Sequence, residues 1–431
     1  METAVKRQIM PGVDLTCVRT EKFKTGVLSI TLLTELKKET ASKTALVMRV
    51  LRRGTSAHPT MEAIAAELDE LYGARISPVL RKKGEVACVG LYASFADDYF
   101  TGGGELLEKT ANLMGEILLS PDTKGGTLKG EYVESEKQKL IDNIQGLIND
   151  KRAYGTKRLT ELMCPGERYG VSLYGTEATA KKITAIGLTK YYRELIARAQ
   201  VQVFYCGSAS AERVERAVKE ALASMPRQDV YKFLTTDVRY ETVKPKVREY
   251  TEEMNVTQGK LIMGFRIGEA MKNPNYAALM VMNAVFGGCV TSKLFMNVRE
   301  KLSLCYYASS SIEKHKGVMI VSSGVQPSDG EKAKAEIYAQ LEAVKNGDIG
   351  QWELDGAKSA IITSLQTCLD DQYRLENYYL DSNLLGTVDC TPDIMAGLVD
   401  GITMEEVKKA ADSVKADCVY FLTVKEQENE A

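Results

Sequence analysis

Arg299 and Tyr306 are the two residues whose types and spacing favour chemistry on a peptide. They lie seven positions apart in the stretch SKLFMNVREKLSLCYYASSS. Apolar residues at helical spacing predict a helix through Arg299, and the β-rich run around Tyr306 predicts a strand. A planar guanidinium and a phenol at such a junction could both donate hydrogen bonds to a peptide carbonyl. Taken singly, the two residues are also typical of a helix surface and of a strand.

The chain has only two histidines, His58 and His315, and this limits its metal chemistry. In the H-x-x-E-H motif, two histidines one helical turn apart bind zinc, and the glutamate between them activates the metal-bound water. His58 and His315 are 257 positions apart. No single helix of this chain can therefore present such a histidine pair.

Length and composition indicate a multidomain protein without a marked charge. The chain has 431 residues, more than one core usually holds. Its 56 basic and 58 acidic side chains give a net charge of −2, which indicates neither nucleic acid nor an anionic membrane as a partner. Apolar runs long enough for a signal peptide or a membrane span are absent from the sequence, so we expect a cytoplasmic protein. The nine scattered cysteines predict reduced thiols, and a cysteine hydrolase would need a histidine beside one of them.

The second half of the sequence repeats the layout of the first. Residues 26–33 and 45–54 match residues 259–266 and 278–287 at one constant offset, as a strand followed by a glycine-terminated helix. The polar stretch 227–257 predicts a linker between an N-terminal domain, 1–226, and a C-terminal domain, 258–431. Short turns between strand-like runs favour hairpins. We therefore predict an α+β fold of two similar α/β-roll domains from an internal duplication, each a mostly antiparallel sheet with helices packed on one face.

The duplicated layout, the stretch around Arg299 and Tyr306 and the segment YGTE at 174–177 resemble the pitrilysin/insulinase family of inverted zinc peptidases, which includes mitochondrial processing peptidase. The resemblance covers almost the whole chain. It is strongest to the YfmF-type bacterial proteins, which are associated with aminopentanol modification of elongation factor P. It implies that Arg299 and Tyr306, the Arg-x6-Tyr element of the C-terminal domain, bind the substrate backbone and the developing oxyanion.

The sequence departs from that family at the zinc motif. The resemblance puts the two histidine ligands at Ala45 and Arg49 and the general base at Met48. The third ligand falls at Asn143 if Glu136 is the earlier of two glutamates on the long helix. A methyl, a thioether and a guanidinium cannot bind zinc or move a proton. We therefore predict degenerate zinc-site positions, and no metal or catalytic residue in this chain alone.

Two functions follow from the absence of the zinc-binding residues and the presence of Arg299 and Tyr306. The first is a non-catalytic subunit of an insulinase-like metallopeptidase, which supplies a chamber wall and a substrate clamp, Arg299 and Tyr306, to a paralogous partner carrying H-x-x-E-H. Zinc is then expected only in the partner, and the substrate is an extended peptide or unfolded polypeptide. The second is a peptide-binding or scaffold protein with no part in proteolysis. The sequence leaves a homodimer open and does not identify the substrate.

Overall fold

The computed structural model describes residues 4–227, 230, 234–268, 276–387 and 390–424. The chain divides into two compact units. The first unit comprises Met1–Gln145, Val171–Thr235 and Gln372–Asp381, and the second comprises Gly146–Gly170, Thr236–Asp371 and Ser382–Ala431. Each unit thus includes one segment that belongs to the other half of the sequence.

The strands alternate with helices along both halves of the chain. In the described residues the strands are, in chain order, β1 (Ala4–Met10), β2 (Val13–Arg19), β3 (Thr25–Glu35), β4 (Arg75–Lys83), β5 (Val86–Ala96), β6 (Thr123–Lys124), β7 (Thr127–Leu128), β8 (Gln200–Gly207), β9 (Arg248–Met254), β10 (Gly259–Arg266), β11 (Cys305–Glu313), β12 (Val318–Val325) and β13 (Lys415–Val424).

Several helices begin after a threonine, serine or aspartate whose side chain accepts a backbone N–H. Thr60, Asp150, Thr184 and Ser210 act in this way. The helices are α1 (Ala41–Leu51), α2 (Met61–Glu70), α3 (Asp98–Thr101), α4 (Leu106–Leu119), α5 (Gly130–Gly146), α6 (Lys151–Met163), α7 (Glu177–Lys181), α8 (Ala185–Arg198), α9 (Ala211–Ala221), α10 (Tyr276–Asn283), α11 (Gly330–Asn346), α12 (Gln351–Cys368), α13 (Gln372–Leu385), α14 (Pro392–Asp400) and α15 (Met404–Asp412).

The first unit is built on a sheet with the strand order β1-β2-β8-β3-β5-β4. Neighbouring strands are antiparallel except β2 and β8, which are parallel. Leu28, Ile30 and Leu32 alternate along β3 and are fully buried in a core shared with α1, α4 and α8. The alternation places them on one face of the sheet, since successive strand side chains point to opposite sides.

The second unit repeats this arrangement with the strand order β11-β12-β10-β13-β9. Its strands are antiparallel except β9 and β13, which are parallel. Read from the other end, this order equals β2-β8-β3-β5-β4 of the first unit, with β1 as an additional strand there. The predicted α+β class, with two similar, mostly antiparallel sheets, is confirmed.

Two helices, α6 and α13, are exchanged between the halves of the sequence. Helix α6 comes from the first half but lies in the second unit, and Gln372–Asp381 of α13 comes from the second half but lies in the first. In the second unit, α6 packs on the face of β10 that carries Ile262 and Gly264, whereas Phe265, on the other face, contacts Tyr338 of α11. A Cβ at Gly264 would lie 2.5 Å from Met163 Sδ, so glycine permits this close approach. Each exchanged helix thus adds a layer that the sequence did not predict.

A network of buried charges ties α6 to the second sheet. Arg266 Nη2 donates to Glu167 Oε1 at 2.8 Å, and Arg266 Nε donates to Asp417 Oδ2 at 2.9 Å. Lys316 Nζ lies 2.8 Å from Glu167 Oε2, and Arg248 Nη2 donates to Asp417 Oδ1 at 2.7 Å. Arg266 also reaches the backbone carbonyl of Met163 at 3.2 Å, at the end of α6. The network satisfies charges that burial would otherwise leave unpaired.

The stretch predicted as a linker, 227–257, contains a strand. Residues 228, 229 and 231–233 of this stretch lie outside the described residues. Its C-terminal part forms β9, which pairs with β13 at the end of the second sheet. The sequence hid this strand because β9 is an edge strand with mostly exposed or half-exposed side chains, so it lacks a buried apolar alternation.

Helices able to cross a bilayer were sought along the described ranges, and none of the helices there is both long enough and apolar enough.

Candidate functional site

Helix α1 carries the three positions that the sequence aligned with a zinc motif. Ala45 and Met48 are buried, with 4% and 2% of their surface exposed, and Arg49 is half-buried. Ala45 and Arg49 stand one helical turn apart and so lie on the same face of the helix, with Met48 beside them. The structure therefore brings these three residues together, as the motif spacing implied.

These three side chains line a cavity of about 270 Å³ in the first unit. Strand β4 forms another wall, and its arginine Arg81 is, with Arg49, the charged part of the lining. The remaining lining residues come from β4, β5, the segment before α7 and the exchanged helix α13: Pro78, Val79, Leu80, Val89, Tyr174 and Tyr373. Two guanidinium groups and two phenols thus meet at one small, open site.

Arg81 forms an ion pair with a buried carboxylate of α13. Its Nη1 donates to Glu376 Oε2 at 2.5 Å, and its guanidinium lies 4.8 Å from the centre of the Tyr373 ring. Ser29 Oγ donates to the other carboxylate oxygen, Oε1, at 3.1 Å. Burial raises the pKa of Glu376 above its ordinary value, against the opposing effect of Arg81. Arg81 Nε and Nη2 are buried and have no hydrogen-bond partner within the part of the chain that the structure describes.

The cavity does not suit zinc. Zinc in proteins is bound by imidazole, thiolate or carboxylate, whereas Ala45, Met48 and Arg49 offer a methyl, a thioether and a cation. Asn143, predicted at the third ligand position, is exposed on α5 and does not line the cavity. Glu136, on the same helix, is 3.0 Å from Arg53 Nη1 in an ion pair. A search of the described ranges for three or more clustered His, Cys, Asp or Glu side chains found no group that could hold a metal ion.

The second unit contains two π-helical stretches, Ala284–Gly288 and Leu294–Lys301, and Arg299 lies in the second of them. The π-helix is rare and occurs frequently at functional sites. The sequence predicted an ordinary helix through Arg299, so the helix is present but wider than expected. Arg299 lies 4.6 Å above the Phe295 ring and 3.4 Å from Glu300 Oε1, with 40% of its side chain exposed.

Tyr306 is placed by an irregularity in the second sheet. In the β11–β12 pairing, Cys305 lies opposite Val325 and Tyr307 lies opposite Gly324, so Tyr306 has no strand partner and forms a β-bulge. Bulges re-aim side chains and are common beside active sites. Tyr306 is 56% exposed, and its hydroxyl accepts a hydrogen bond from Gln326 Nε2.

Arg299 and Tyr306 therefore lie in the same unit, on consecutive elements, and each reaches solvent. Each contacts its own neighbours, Phe295 and Glu300 for Arg299, and Gln326 for Tyr306. Their predicted roles in gripping a substrate backbone stay predictions.

Sequence reasoning missed Arg81, Tyr174 and Tyr373 as members of one cavity. Tyr174 was visible in the YGTE segment, but only as part of a resemblance. Arg81 sits in a basic run of β4 that reads as a solvated strand end. Tyr373 lies on the exchanged helix, some 300 positions from α1 in the sequence, and no local pattern links the two.

The cysteines give little support to thiol chemistry. Burial raises the pKa of the Cys17 and Cys88 thiols to about 12, and that of Cys164 to about 11, which keeps them protonated and unreactive. His58 Nδ1 lies 2.9 Å from Glu116 Oε1, so this histidine is engaged with a carboxylate.

Comparison with known proteins links the chain to peptidases of the M16 type. The model of the Peptidase M16 inactive domain matches residues 182–361. The chain is 34% identical over 412 residues to Probable inactive metalloprotease YmfF of Bacillus subtilis, covering 95% of this chain and 96% of that protein. It is 24% identical over 231 residues to Uncharacterized zinc protease YmxG of the same organism, covering 53% of this chain and 52% of that one.

A solved structure extends the likeness to the fold. The crystal structure of a conserved protein from Enterococcus faecalis V583 superposes with a TM-score of 0.89 at 27% sequence identity, covering 99% of this chain and 100% of that chain.

Proposed function

Because the chain belongs to the peptidase M16 family, in which it is an inactive homologue, we propose that it is the non-catalytic subunit of a two-chain zinc peptidase. It supplies a chamber wall and a substrate clamp, and a paralogous partner supplies H-x-x-E-H and the zinc. The substrate class is an extended peptide or an unfolded polypeptide.

One asymmetry carries this proposal. The positions of a zinc motif in the first unit hold Ala45, Met48 and Arg49, which offer no metal donor. In the second unit, a π-helical stretch and a β-bulge keep Arg299 and Tyr306 open to solvent. Irregular backbone is costly unless the surrounding structure supports it, and it clusters at functional sites. The two irregularities therefore support a role of Arg299 and Tyr306 in holding substrate.

The clamp would act through hydrogen bonds. The Arg299 guanidinium has several N–H donors and no acceptor, and the Tyr306 hydroxyl can donate as well as accept. Both groups can therefore hold a backbone carbonyl oxygen of an extended peptide. The attraction between Arg299 and that oxygen strengthens as negative charge develops on the oxygen. The bond-breaking step belongs to the partner in this proposal.

The relatives are compatible with a divided peptidase. Bacillus subtilis has both a protein named as a probable inactive metalloprotease and one named as a zinc protease, and this chain is similar to each. An organism with both types has the two chains that the proposal needs. The resemblance to proteins associated with elongation factor P suggests a pathway, and the described side chains offer no feature specific for that substrate.

The test is to produce the chain together with the H-x-x-E-H paralogue of its own organism and to purify the pair under mild conditions. We expect co-elution, zinc in the partner and chelator-sensitive cleavage of an unfolded polypeptide. In Arg299→Ala, kcat/KM should fall about tenfold to a hundredfold, since a charge-assisted hydrogen bond contributes about 1.5–3 kcal/mol. Co-elution of the two chains should persist.

Lys301→Ala is the matched control, because Lys301 is an exposed cation on the same π-helical stretch. Its activity should stay near the unmutated value. Full activity of Arg299→Ala would remove the clamp role, and failure of the two chains to associate would remove the subunit role.

A second candidate function is a peptide-binding protein with no part in proteolysis, and one observation favours it. Strand β4 is the last strand of the first sheet in the described part of the chain, and it contains Pro78, a residue that occurs in sheets mainly at edges. Such an edge can accept an extended peptide as an additional strand. Protection of β4 amides from hydrogen exchange when an extended peptide is added to the isolated chain would support this function.

A further inference from the structure

The cavity between α1 and β4 has an excess of positive charge. Its charged lining residues are Arg49 and Arg81, and Glu376 offsets only the second of them. Along the residues that the structure describes, Arg49 makes no ion pair, hydrogen bond or ring contact. A guanidinium has five N–H donors and no acceptor, so Arg49 can donate to an anionic group that enters the cavity.

The size of the cavity limits what that anion is. A volume of about 270 Å³ is below the range of about 300–1,000 Å³ that is typical of sites for drug-sized ligands. It suits a side chain or a terminal group better than a nucleotide or a cofactor. A planar guanidinium fork also matches a carboxylate, which it can bind through two parallel hydrogen bonds.

The position of the cavity indicates the source of the carboxylate. Residues 78–81 of β4 form its wall, and β4 ends the sheet in the described part of the first unit. Tyr174 and Tyr373 stand at the opening, 38% and 49% exposed, and provide phenol rings against which an apolar neighbour can pack. A chain lying along β4 would place a terminal or side-chain carboxylate beside Arg49.

We propose that this cavity binds a carboxylate of an extended peptide, with the Arg49 guanidinium as its principal partner and Arg81 adding positive charge. The carboxylate is either the C-terminus of the peptide or the side chain of an Asp or Glu. In this arrangement Arg49 binds the carboxylate at a position that the resemblance aligns with a zinc ligand. The proposal does not rest on a catalytic partner, because every residue involved lies in the first unit of this chain.

The experiment is titration calorimetry of the purified full chain with three synthetic peptides. The probes are N-acetyl-Ala-Val-Ala-Val with a free carboxyl terminus, the same peptide as its C-terminal amide, and the amide with aspartate at the third position. We expect the free acid to bind and the first amide not to bind. Binding of the aspartate amide would identify a side-chain carboxylate as an accepted group, and its failure would restrict the site to a terminus.

Arg49→Met should weaken binding of the free acid by about tenfold to a hundredfold, the loss of a hydrogen bond between charged groups. Arg49→Lys, which keeps a point charge but loses the fork, should weaken it less. Arg75→Met is the matched control, because Arg75 is an exposed cation on β4 that does not line the cavity. It should change the affinity by less than about twofold, which excludes a general charge effect.

If Arg49 had only a structural role, Arg49→Met would lower the melting temperature together with binding. Since Arg49 has no partner in the described chain, Arg49→Met should keep or raise the melting temperature while it reduces binding. Equal binding of the acid and the first amide, no binding of either acidic probe, or full binding by Arg49→Met would each overturn the proposal. None of these outcomes bears on co-elution with an H-x-x-E-H partner, so the subunit proposal stands or falls separately.

Discussion

In each unit, the segment exchanged from the other half of the sequence carries a buried glutamate that contacts the sheet, and the two surroundings differ. In the second unit, Glu167 is paired with both Arg266 and Lys316, and all three side chains are fully buried. In the first unit, Glu376 is paired with Arg81 and accepts an additional hydrogen bond from Ser29. The pKa values respond in opposite directions.

Burial alone would raise the pKa of Glu167, but the hydrogen bonds from Arg266 and Lys316 outweigh it and lower the pKa below its ordinary value. The pKa of Glu376 is raised, because its burial outweighs the effect of Arg81. Arg266 uses its Nε, Nη1 and Nη2 in hydrogen bonds, whereas Arg81 Nε and Nη2 have no hydrogen-bond partner among the described residues. Arg248 Nε, in the second network, also has no such partner there. The two networks therefore differ at their central cation, because Arg266 is fully engaged whereas Arg81, which lines a cavity, is not.

The largest expected effect comes from removing Arg266, the central cation of the second network. Arg266→Met leaves Glu167 and Asp417 buried without their shared partner, and we expect a loss of about 3–5 kcal/mol in the free energy of unfolding. Trp352, the only tryptophan, lies in the second unit, so its fluorescence during urea denaturation reports on that unit. Arg239→Met is the control, since Arg239 approaches Glu167 only at 3.7 Å and is 44% exposed. A similar loss in both variants would contradict the central role of Arg266 in this network.

A somewhat smaller effect should follow from removing the apolar contact of α6. Leu159 is fully buried in a cluster with Ile262 and Tyr420 of the second sheet. Leu159→Ala should lower the free energy of unfolding by about 2–5 kcal/mol, because it leaves a cavity. Ile148→Ala, at an exposed position just before α6, should change it by less than about 0.5 kcal/mol. If the two variants have equal stability in urea, α6 does not pack on the second sheet as described.

The smallest expected effect is the pH dependence of folding stability, which should have opposite signs for the two glutamates. The lowered pKa of Glu167 contributes stability that is present above its unfolded pKa of about 4.3 and is lost as the pH falls through the folded pKa. The raised pKa of Glu376 acts in reverse, since its contribution is present below about pH 4.3 and is lost as the pH rises through the folded pKa.

Glu167→Gln should therefore reduce the loss of folding stability that occurs as the pH falls. Glu376→Gln should reduce the loss of folding stability that occurs as the pH rises. Each unit of pKa shift corresponds to about 1.4 kcal/mol. Urea midpoints measured for both variants and the unmutated chain between about pH 3 and 8 test this. Slopes of the same sign for both glutamates would show that their surroundings are equivalent.

The sequence predicted the repeated fold because each half carries the same order of apolar periodicities. It did not predict β9, since an edge strand with charged side chains lacks the alternation on which strand prediction depends. The exchange of α6 and α13 was also hidden, because helical spacing shows which face of a helix is apolar and not which sheet that face will cover.

The candidate site was predictable only in part, for a related reason. Ala45, Met48 and Arg49 share a helix face, so their proximity follows from their spacing. Arg81 and Tyr373 reach the same cavity through β4 and through the exchanged helix, and these contacts depend on tertiary structure alone. The bulge at Tyr306 depends on a register shift between two strands that no single stretch of sequence specifies.

The exchanged helices have a consequence for synthesis of the chain. The first sheet has all its strands once Gly207 has left the ribosome, but the segment Gln372–Asp381 that covers one of its faces is made roughly 170 residues later. At a synthesis rate of about 5–20 residues per second, this face stays uncovered for on the order of ten to thirty seconds. Chains stalled before residue 372 should therefore present a protease-sensitive first unit, and chains stalled well beyond residue 381 a resistant one.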